Sequence, residues 1–222
     1  AIRLKSVTLP ETVKSIGTLA FGYSSKLTYV YIPQDLTSFV AGAFTNSNNV
    51  KLNVAEGTLG ETYAKNNNIA YETREYVYSA IASGTCGENA TWELYNSGEL
   101  VIGGSGAIDS YANKNEQPWA AYASQIKSIV IGKDITAIGN YAFAYLYYLE
   151  SVTFEEGSKL ESVGVASFHY ALRLKTVTLP ETVTYVGNLA FGYSSRLTTV
   201  SIPENATVHA NAFLNSPNVN IG

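Results

Sequence analysis

The sequence contains few of the residues from which catalytic and metal sites are usually built. Its 222 residues include one cysteine, two histidines and three aspartates. A single cysteine can neither close an internal disulfide nor supply a metal cage. Because catalysis needs several titratable side chains that converge on one pocket, this small supply argues against a catalytic centre. We therefore expect a protein that is not an enzyme and that holds no metal and no cofactor.

Long apolar runs and an excess of positive charge are also missing. No apolar run approaches the ~18–20 residues that a transmembrane helix requires, so we do not expect a membrane-embedded chain. The formal net charge is −4, and without a basic patch we expect no nucleic acid partner. Apolar residues make up 46% of the chain and charged residues 14%. This balance excludes a disordered chain and a coiled coil.

The sequence does contain a strong internal repeat. A repeat of this length determines the architecture of the protein that contains it. Residues 4–34 match residues 174–204 at 22 of 31 positions. Shorter units begin at Leu4, Leu27 and Val50, which are 23 residues apart. The units of the second half begin at Ile126, Leu149, Leu174, Leu197 and Val219. One of them carries a two-residue insertion, which contains Glu155 and Glu156.

Each fixed position of the unit has a physical role. Val7 and Leu9 alternate as the inward side chains of a short strand do, and Pro10 ends the strand because it has no N–H to donate. Gly17 and its equivalents are predicted to turn a corner with positive φ. Each unit closes on a small residue followed by phenylalanine, so that coils approach while the ring fills the space between them. These pairs are Ala20-Phe21, Ala43-Phe44, Ala142-Phe143, Ser167-Phe168, Ala190-Phe191 and Ala212-Phe213.

One unit cannot be stable alone. Burial of about six apolar side chains contributes roughly 9–18 kcal/mol, whereas ordering one unit costs roughly 20–40 kcal/mol of conformational entropy. Neighbouring units must therefore stack on each other, and the sequence predicts a solenoid.

The order of strand, proline, Ile-Gly and Ala-Phe resembles the BspA-like leucine-rich repeat family over residues 4–49 and 126–218. The resemblance implies a right-handed coil of short β-strands with short helical or 3-10 turns, ~23 residues per repeat. It also implies a secreted or cell-surface bacterial protein. Repeats of this family often carry cysteine three residues after the phenylalanine. Here that position holds Ser24, Ser47, Leu146, Ala171, Ser194 and Ser216.

The repeats predict two arrays. Residues 1–72 form the end of a first array, in which 50–72 is a terminal cap with a strand and a helix over Gly60–Asn68, because the end of a solenoid must be covered. Residues 73–78 are a linker, 79–125 a capping module, and 126–222 a second array. The chain begins with neither a signal peptide nor an initiator methionine, so we expect it to be part of a longer one. Either more repeats precede Ala1 or the two arrays pack into one body.

The capping module is predicted from a hairpin pattern that resembles the opening module of BspA-like arrays. Thr91–Tyr95 and Glu99–Gly103 alternate as two strands joined by an Asn-Ser-Gly turn. Trp92, Leu94, Leu100 and Ile102 then share one face. The glycine-rich run 103–106 that follows has no lysine or helix signal of a phosphate loop and is predicted to be a flexible connection.

The remaining chemically active residues are predicted to be structural. His169 follows the repeat phenylalanine and His209 occupies the corner-glycine position, so both are expected at the surface with no partner spacing for a metal. Glu155 and Glu156 are expected in a solvated turn. Cys86 lies between glycines and is expected to be an inert thiol. Ser24 and Ser194 are expected to be packing residues.

The outward positions of the strands are the candidate binding residues. Because Val7 and Leu9 point inward, their neighbours point out and align across coils into a row of hydroxyls and rings. The candidate ligand-binding residues are Thr8, Tyr29, Tyr31, Ser128, Thr153, Thr178 and Ser201. Further tyrosines follow the phenylalanines, and Tyr with Ser and Thr favours adaptable binding. The alternative is that Thr and Tyr are there for their β-propensity alone.

Three functions fit these patterns. The leading hypothesis is a non-catalytic binding or adhesion module, at the cell surface or secreted, that recognises a protein or a glycan on host or neighbouring cells. The second is an accessory, non-catalytic region of a larger cell-wall or polysaccharide-active enzyme. The third is a structural spacer or stalk, for which no ligand is expected.

Overall fold

A computed structural model describes residues 4–221 of the chain. The chain divides into two compact units, unit 1 (Ala1–Tyr78) and unit 2 (Ser79–Gly222). In both, short parallel strands recur with the 23-residue spacing of the repeat, as in the pairs Ser6 with Tyr29 and Ser128 with Ser151. The predicted solenoid of short strands with ~23 residues per repeat is thereby confirmed.

Unit 1 is a stack of short parallel strands with one helix. Its elements are β1 (Ser6–Thr8), β2 (Ser15–Ile16), β3 (Tyr29–Tyr31), β4 (Ser38–Phe39), β5 (Lys51–Ala55), α1 (Leu59–Asn66) and β6 (Ala70–Arg74). The strands β1-β3-β5-β6 form one sheet in that order, and β2 pairs with β4 in a second sheet. Each coil of the repeat thus contributes one strand to each of two sheets.

The helix of unit 1 forms where the sequence predicts it. It spans Leu59–Asn66, whereas the predicted helix spans Gly60–Asn68, a difference of two residues at the C-terminal end. Tyr63 and Ala64 are buried as expected, and the Tyr63 ring stacks on Phe39 with the ring centroids 3.7 Å apart. Asn68 has φ of 51°, a left-handed conformation that the predicted helix did not allow for. The chain then returns as β6, which the sequence pattern does not predict and which pairs with all five residues of β5.

The segment expected to be a linker, 73–78, makes specific contacts within unit 1. Its first two residues lie in β6. The Tyr76 hydroxyl donates a hydrogen bond to Asp35 over 2.7 Å, and the Val77 backbone N–H donates to the Gln34 side chain over 3.0 Å. Burial and the Asp35 carboxylate together raise the pKa of Tyr76 well above its usual value.

Unit 2 contains a three-stranded antiparallel start followed by repeat coils. Its strands are β7 (Ala80–Thr85), β8 (Asn89–Tyr95), β9 (Glu99–Ala107), β10 (Ser128–Ile131), β11 (Ile135–Ile138), β12 (Ser151–Phe154), β13 (Ser162–Val163), β14 (Thr176–Thr178), β15 (Tyr185–Val186), β16 (Thr199–Ser201), β17 (Thr207–Val208) and β18 (Asn220–Ile221). A 3-10 turn spans Ala120–Tyr122. The predicted hairpin is confirmed as β8 and β9, with its four predicted apolar side chains buried. The strand β7, which pairs with β8, has no clear signal in the sequence.

The glycine-rich run 103–106 is part of β9, so the prediction of a flexible connection is wrong. The first half of β9 pairs in parallel with β10 and its end pairs with β11. Gly104 and Gly106 have φ of 76° and 83°, which lets one strand serve both sheets. A Cβ at Gly104 would also collide with the carbonyl oxygen of Asn89 on β8.

The ladder of strands on one side of unit 2 is interrupted at the inserted residues. Strands β9, β10 and β12 are joined in one sheet, whereas β14, β16 and β18 form a separate sheet. On the other side of the same coil the ladder continues, since β13 pairs with both β11 and β15. The longer connection after Phe154 therefore separates only the two strands β12 and β14.

The corner glycines do not have positive φ, which corrects the expectation from sequence. The left-handed residues lie two positions later, at Leu19, Tyr141, Ala166 and Leu189. Glycine is needed instead for close contact between coils. A Cβ at Gly187 would lie 2.9 Å from the carbonyl carbon of Gly164 and the backbone nitrogen of Val165 in the preceding coil. No side chain fits in that space without moving the backbone.

The repeat phenylalanines form a continuous stack through unit 2. The ring centroids are 5.3 Å apart between Phe143 and Phe168 and 5.2 Å apart between Phe168 and Phe191. Trp119 stacks on Phe143 at 5.2 Å and so takes the place of a phenylalanine in the capping module. The core of unit 2 therefore contains one aromatic column that begins before the first repeat.

Candidate ligand-binding surface

The seven predicted binding residues lie on the outer strands of the two units. Thr8, Tyr29 and Tyr31 lie on β1 and β3 of unit 1, where Thr8 is opposite Tyr31 in the register. In unit 2, Ser128 lies on β10, and the remaining three are Thr153, Thr178 and Ser201. All seven are exposed or half-buried, whereas inward neighbours such as Val30 and Ile129 are buried.

The hydroxyl and the ring of Tyr31 are already engaged within unit 1. Its hydroxyl donates a hydrogen bond to Glu11 over 2.8 Å, and the guanidinium carbon of Arg74 lies 3.9 Å from its ring centroid. Arg74 also donates hydrogen bonds to the backbone oxygen and side chain of Asn53. Burial and the bond to Glu11 raise the pKa of Tyr31 above its usual value. Tyr31 is therefore part of a fixed polar network rather than a free ring.

Two of the predicted residues of unit 2 line one open groove. Thr153 on β12 and Thr178 on β14 face the space that the interrupted ladder leaves between these strands, and the groove has a volume of about 650 Å³. We call it the strand-face groove, and it is bounded by residues 151–158 and 176–182. Ser128 and Ser201 lie on the same face but do not line the groove.

The strand-face groove has an apolar floor and a hydroxyl-rich wall. Val152 and Leu179 are buried beneath it, and Phe154 is half-buried. The hydroxyl side chains along the groove are Ser151, Thr153, Ser158, Thr176, Thr178 and Thr182. The Thr182 hydroxyl donates a hydrogen bond to the backbone oxygen of Leu160 over 2.6 Å. This bond links the segment that follows β14 to the segment that follows β12.

Two carboxylates lie at the strand-face groove and make it acidic. Glu155 and Glu181 both line it and are exposed. One carboxylate oxygen of Glu155 accepts a hydrogen bond from the backbone N–H of Lys133 over 3.0 Å, which fixes its position. A ligand of this groove would therefore meet negative charge at its edge.

His169 is buried, so the prediction of a surface histidine is wrong at this position. Only 8% of the residue is exposed, and its ring meets Tyr145, Tyr170 and Tyr193 edge-on with centroids 5.6, 4.5 and 5.1 Å apart. Burial lowers the pKa of the imidazole, so the neutral form is favoured. His209, in contrast, is exposed as predicted.

A cluster of tyrosines at the same corner is a surface that the predicted site residues do not include. Tyr145, Tyr170 and Tyr193 stack with centroids 5.3 and 4.9 Å apart. Tyr147 and Tyr148 lie beside them and are 40% and 42% exposed. The signal in the sequence is the recurrence of tyrosine two residues after the phenylalanine in successive units.

The other candidate reactive groups occupy structural positions. Cys86 is buried, and burial together with the nearby Asp109 carboxylate raises the pKa of its thiol to about 12. The neutral thiol is a poor nucleophile. Among residues 4–221, no group of three His, Cys, Asp or Glu side chains is placed to hold a metal ion. Glu156 lies in an exposed turn as predicted.

Comparison with protein families accounts for the repeat. A model of the BspA type leucine rich repeat region matches residues 1–70 and 119–221 in six copies, which is more than half of the chain. The chain belongs to the BspA-type leucine-rich repeat family. The stretch between the two BspA-type matches contains β7, β8 and β9 of the capping module. No curated protein matches the chain significantly.

Several solved structures resemble this BspA-type chain at low sequence identity. A leucine-rich repeat protein from Eubacterium ventriosum is 23% identical, with a TM-score of 0.47, over 64% of this chain and 44% of that one. A leucine rich cell surface protein from Faecalibacterium prausnitzii is 18% identical, with a TM-score of 0.46, over 98% and 59%. The pneumococcal vaccine antigen PcpA is 17% identical, with a TM-score of 0.42, over 99% and 57%. The chain thus spans about half the length of these proteins.

The small position of the BspA-type repeat, three residues after the phenylalanine, forms hydrogen bonds between coils. Ser216 accepts from the Ser194 backbone N–H over 2.9 Å and donates to the Phe191 carbonyl over 2.8 Å. Ser47 makes the equivalent bonds to Ser24 and Phe21 in unit 1. The buried Ser24 and Ser194 are packing residues, as predicted.

In the described part of this BspA-type chain, no helix has the length and apolar character needed to cross a bilayer.

Proposed function

We propose that this chain is a non-catalytic binding module, secreted or displayed at the cell surface, that recognises a protein or glycan on host or neighbouring cells. The observation that carries the proposal is the strand-face groove, in which Thr153 and Thr178 lie together where the ladder is interrupted. Membership of a repeat family supports it, because solenoids use their repeated outer faces for binding.

The size and lining of the strand-face groove support a ligand of moderate size. A volume of about 650 Å³ lies within the range of roughly 300–1,000 Å³ that is usual for ligand pockets. The buried Val152 and Leu179 beneath it offer apolar contact. The Thr178 hydroxyl can donate and accept hydrogen bonds, whereas the Thr153 hydroxyl donates to the Ile129 carbonyl over 3.3 Å and can accept from a ligand. Glu155 and Glu181 favour a neutral or cationic ligand over an anionic one.

Glycan and host-protein arrays probed with the whole chain test this proposal. The variants Thr153→Arg and Thr178→Arg place a long cationic side chain in the groove at exposed strand positions. We expect each to weaken binding about tenfold or more, because a bulky group that fills the groove excludes the ligand. Binding is then quantified by surface plasmon resonance with the ligand found on the array.

The control is Thr207→Arg, which makes the same change at an exposed threonine of β17 in unit 2 that does not line the groove. It is expected to leave binding unchanged. An array with no bound ligand would favour a spacer and contradict the proposal. A ligand whose affinity falls equally in Thr153→Arg, Thr178→Arg and Thr207→Arg would also contradict the proposal. The same holds for a ligand whose affinity falls in none of these variants.

A further inference from the structure

A second groove in unit 2 lies at the corner that follows the repeat phenylalanines. It has a volume of about 300 Å³ and runs between residues 114–124 of the capping module and Tyr145, Tyr147 and Tyr148 of the first repeat. We call it the tyrosine groove. None of its lining residues lines the strand-face groove, so it is independent of the function proposed above.

Part of the wall of the tyrosine groove is apolar. Ala120, Ala121 and Ala144 lie in this wall together with the tyrosine rings. An apolar face of a ligand can contact both the small methyl side chains and the aromatic rings. The volume lies at the lower limit of the roughly 300–1,000 Å³ range of ligand pockets, which favours a small group over a folded partner.

The tyrosines of the groove are held in place by contacts outside it. The Arg173 guanidinium lies 4.7 Å from the Tyr148 ring centroid and is itself paired with Glu150 over 3.3 Å. Tyr147 meets Tyr145 edge-on with centroids 6.2 Å apart. A ring fixed in this way loses little conformational entropy when a ligand binds.

The tyrosine groove is lined by one positively charged side chain, Lys114. The Lys114 ammonium nitrogen lies 5.6 Å from the Tyr145 ring centroid, and in the described chain it forms no ion pair. The nearby Glu116 carboxylate accepts hydrogen bonds instead from the Ala112 backbone and the Asn113 side chain, over 3.0 and 2.7 Å. The groove is therefore complementary to an anion.

Two further polar side chains complete the lining. Asn115 and Ser124 lie at the groove and offer an amide and a hydroxyl for hydrogen bonds. Gln117 also lines it, but its amide nitrogen already donates to the carbonyl oxygens of Tyr141 and Ala144, over 2.6 and 3.1 Å. In the described chain, the side chains of Asn115 and Ser124 have no hydrogen bond that would compete with a ligand.

We propose that the tyrosine groove binds one acidic sugar residue of a glycan, either a uronic or a sialic acid. The apolar face of the pyranose ring packs between the alanines and the tyrosine rings, its hydroxyls bond to Asn115 and Ser124, and its carboxylate pairs with Lys114. A glutamate side chain of an acidic peptide offers the carboxylate but no pyranose ring with an apolar C–H face to pack on the tyrosines. The acidic strand-face groove and this cationic groove would then select different ligands.

NMR titration of the whole chain tests the proposal with four probes: oligogalacturonate, sialyllactose, neutral lactose and a glutamate-rich peptide. We expect at least one acidic sugar to bind about tenfold more tightly than lactose and the peptide, with an affinity that falls as salt rises. The acidic sugar that binds identifies the source of the carboxylate. Binding of neither acidic sugar, equal binding of lactose, or preference for the peptide would overturn the proposal.

Variants of the whole chain localise the binding. Lys114→Gln is expected to weaken binding of the acidic sugar about tenfold, since it removes the charge that pairs with the sugar carboxylate. Tyr148→Ala, at an exposed ring, is expected to weaken it to a similar degree. The control Lys175→Gln makes the same charge change at an exposed lysine of unit 2 outside the groove and should leave affinity unchanged. Full affinity in Lys114→Gln would refute the assignment.

Discussion

The residue two positions after each repeat phenylalanine adopts a left-handed backbone conformation. Its φ lies between 57° and 63° at Tyr23, Asn46, Tyr145, Tyr170, Tyr193 and Asn215. Asparagine tolerates this region well, whereas a bulky residue is strained there by roughly 1–2 kcal/mol. In unit 2 the strain is offset by contacts that one coil cannot make alone, because Tyr170 stacks between Tyr145 and Tyr193.

A close contact between coils at Gly187 gives a prediction at the residue scale. In Gly187→Ala the added methyl group would lie 2.9 Å from the backbone of Gly164 and Val165. We expect the free energy of unfolding of unit 2 to fall by about 1–3 kcal/mol, because the backbone must shift to relieve the overlap. Both tryptophans, Trp92 and Trp119, lie in unit 2, so tryptophan fluorescence during urea denaturation measures this change.

Gly17→Ala is the matched control for this prediction. Gly17 occupies the same position of the nearly identical block in unit 1, and a Cβ there would meet no atom within 4 Å. Its stability, followed by circular dichroism, should be unchanged or rise slightly, because alanine reduces the entropy of the unfolded chain. An equal loss in both variants would show that close approach is not the reason for glycine.

At the scale of the elements, two irregularities interrupt the regular pairing of strands in unit 2. The strand β9 serves two sheets because Gly104 and Gly106 permit left-handed conformations within it. The interruption between β12 and β14 arises where the coil is longer, and it opens the strand-face groove. The regular coils on either side contribute the hydroxyl side chains. The groove itself forms only between β12 and β14, where the pairing of strands is interrupted.

The hydrogen bonds of the small position give a prediction at the element scale. Ser216→Ala leaves the buried Ser194 backbone N–H and the Phe191 carbonyl without the partner that Ser216 provides. We expect the free energy of unfolding of unit 2 to fall by about 1–3 kcal/mol, the usual cost of a buried unsatisfied polar group. The exposed Ser195→Ala in the preceding coil is the control and should change it by less than about 0.5 kcal/mol. Equal effects in the urea titration would contradict the role of Ser216.

At the scale of the whole molecule, residues 4–221 form two separate hydrophobic cores. One runs from Val7 to Tyr71 within unit 1 and the other from Ala82 to Val219 within unit 2. The core of unit 2 includes both tryptophans and the aromatic column from Trp119 to Phe213. We propose that each unit is a folding domain, with the boundary at residues 78 and 79.

A shortened chain of residues 79–222 tests this proposal. We expect its urea midpoint, followed by tryptophan fluorescence, to equal that of unit 2 in the whole chain, because the core of unit 2 contains no residue of unit 1. Tyr78→Ala in the whole chain changes the boundary without removing unit 1 and is the control. A midpoint that shifts strongly only on removal of unit 1 would mean that the two units are coupled.

Much of the fold could be predicted, whereas the grooves could not. The 23-residue spacing, the Ala-Phe pairs and the hairpin at Trp92 depend on local sequence and on stacking of like units. The strand β6 and the bend in β9 depend on which partner strand is nearby, and their sequences carry little periodicity. The inserted Glu155 and Glu156 are visible in the sequence, but nothing local indicates that they separate two strands.

The sequence by itself determined the repeat, its inward and outward positions and the small supply of reactive groups, because side-chain periodicity and composition are properties of the chain. Only the tertiary structure decided that His169 is buried, that Tyr31 is held by Glu11 and Arg74, and that Thr153 and Thr178 share one groove. The physical reason is that each of these depends on contacts between residues about 20 to 60 positions apart. The sequence of a single repeat determines which of its side chains point outward. The neighbouring repeats determine which residues those side chains contact.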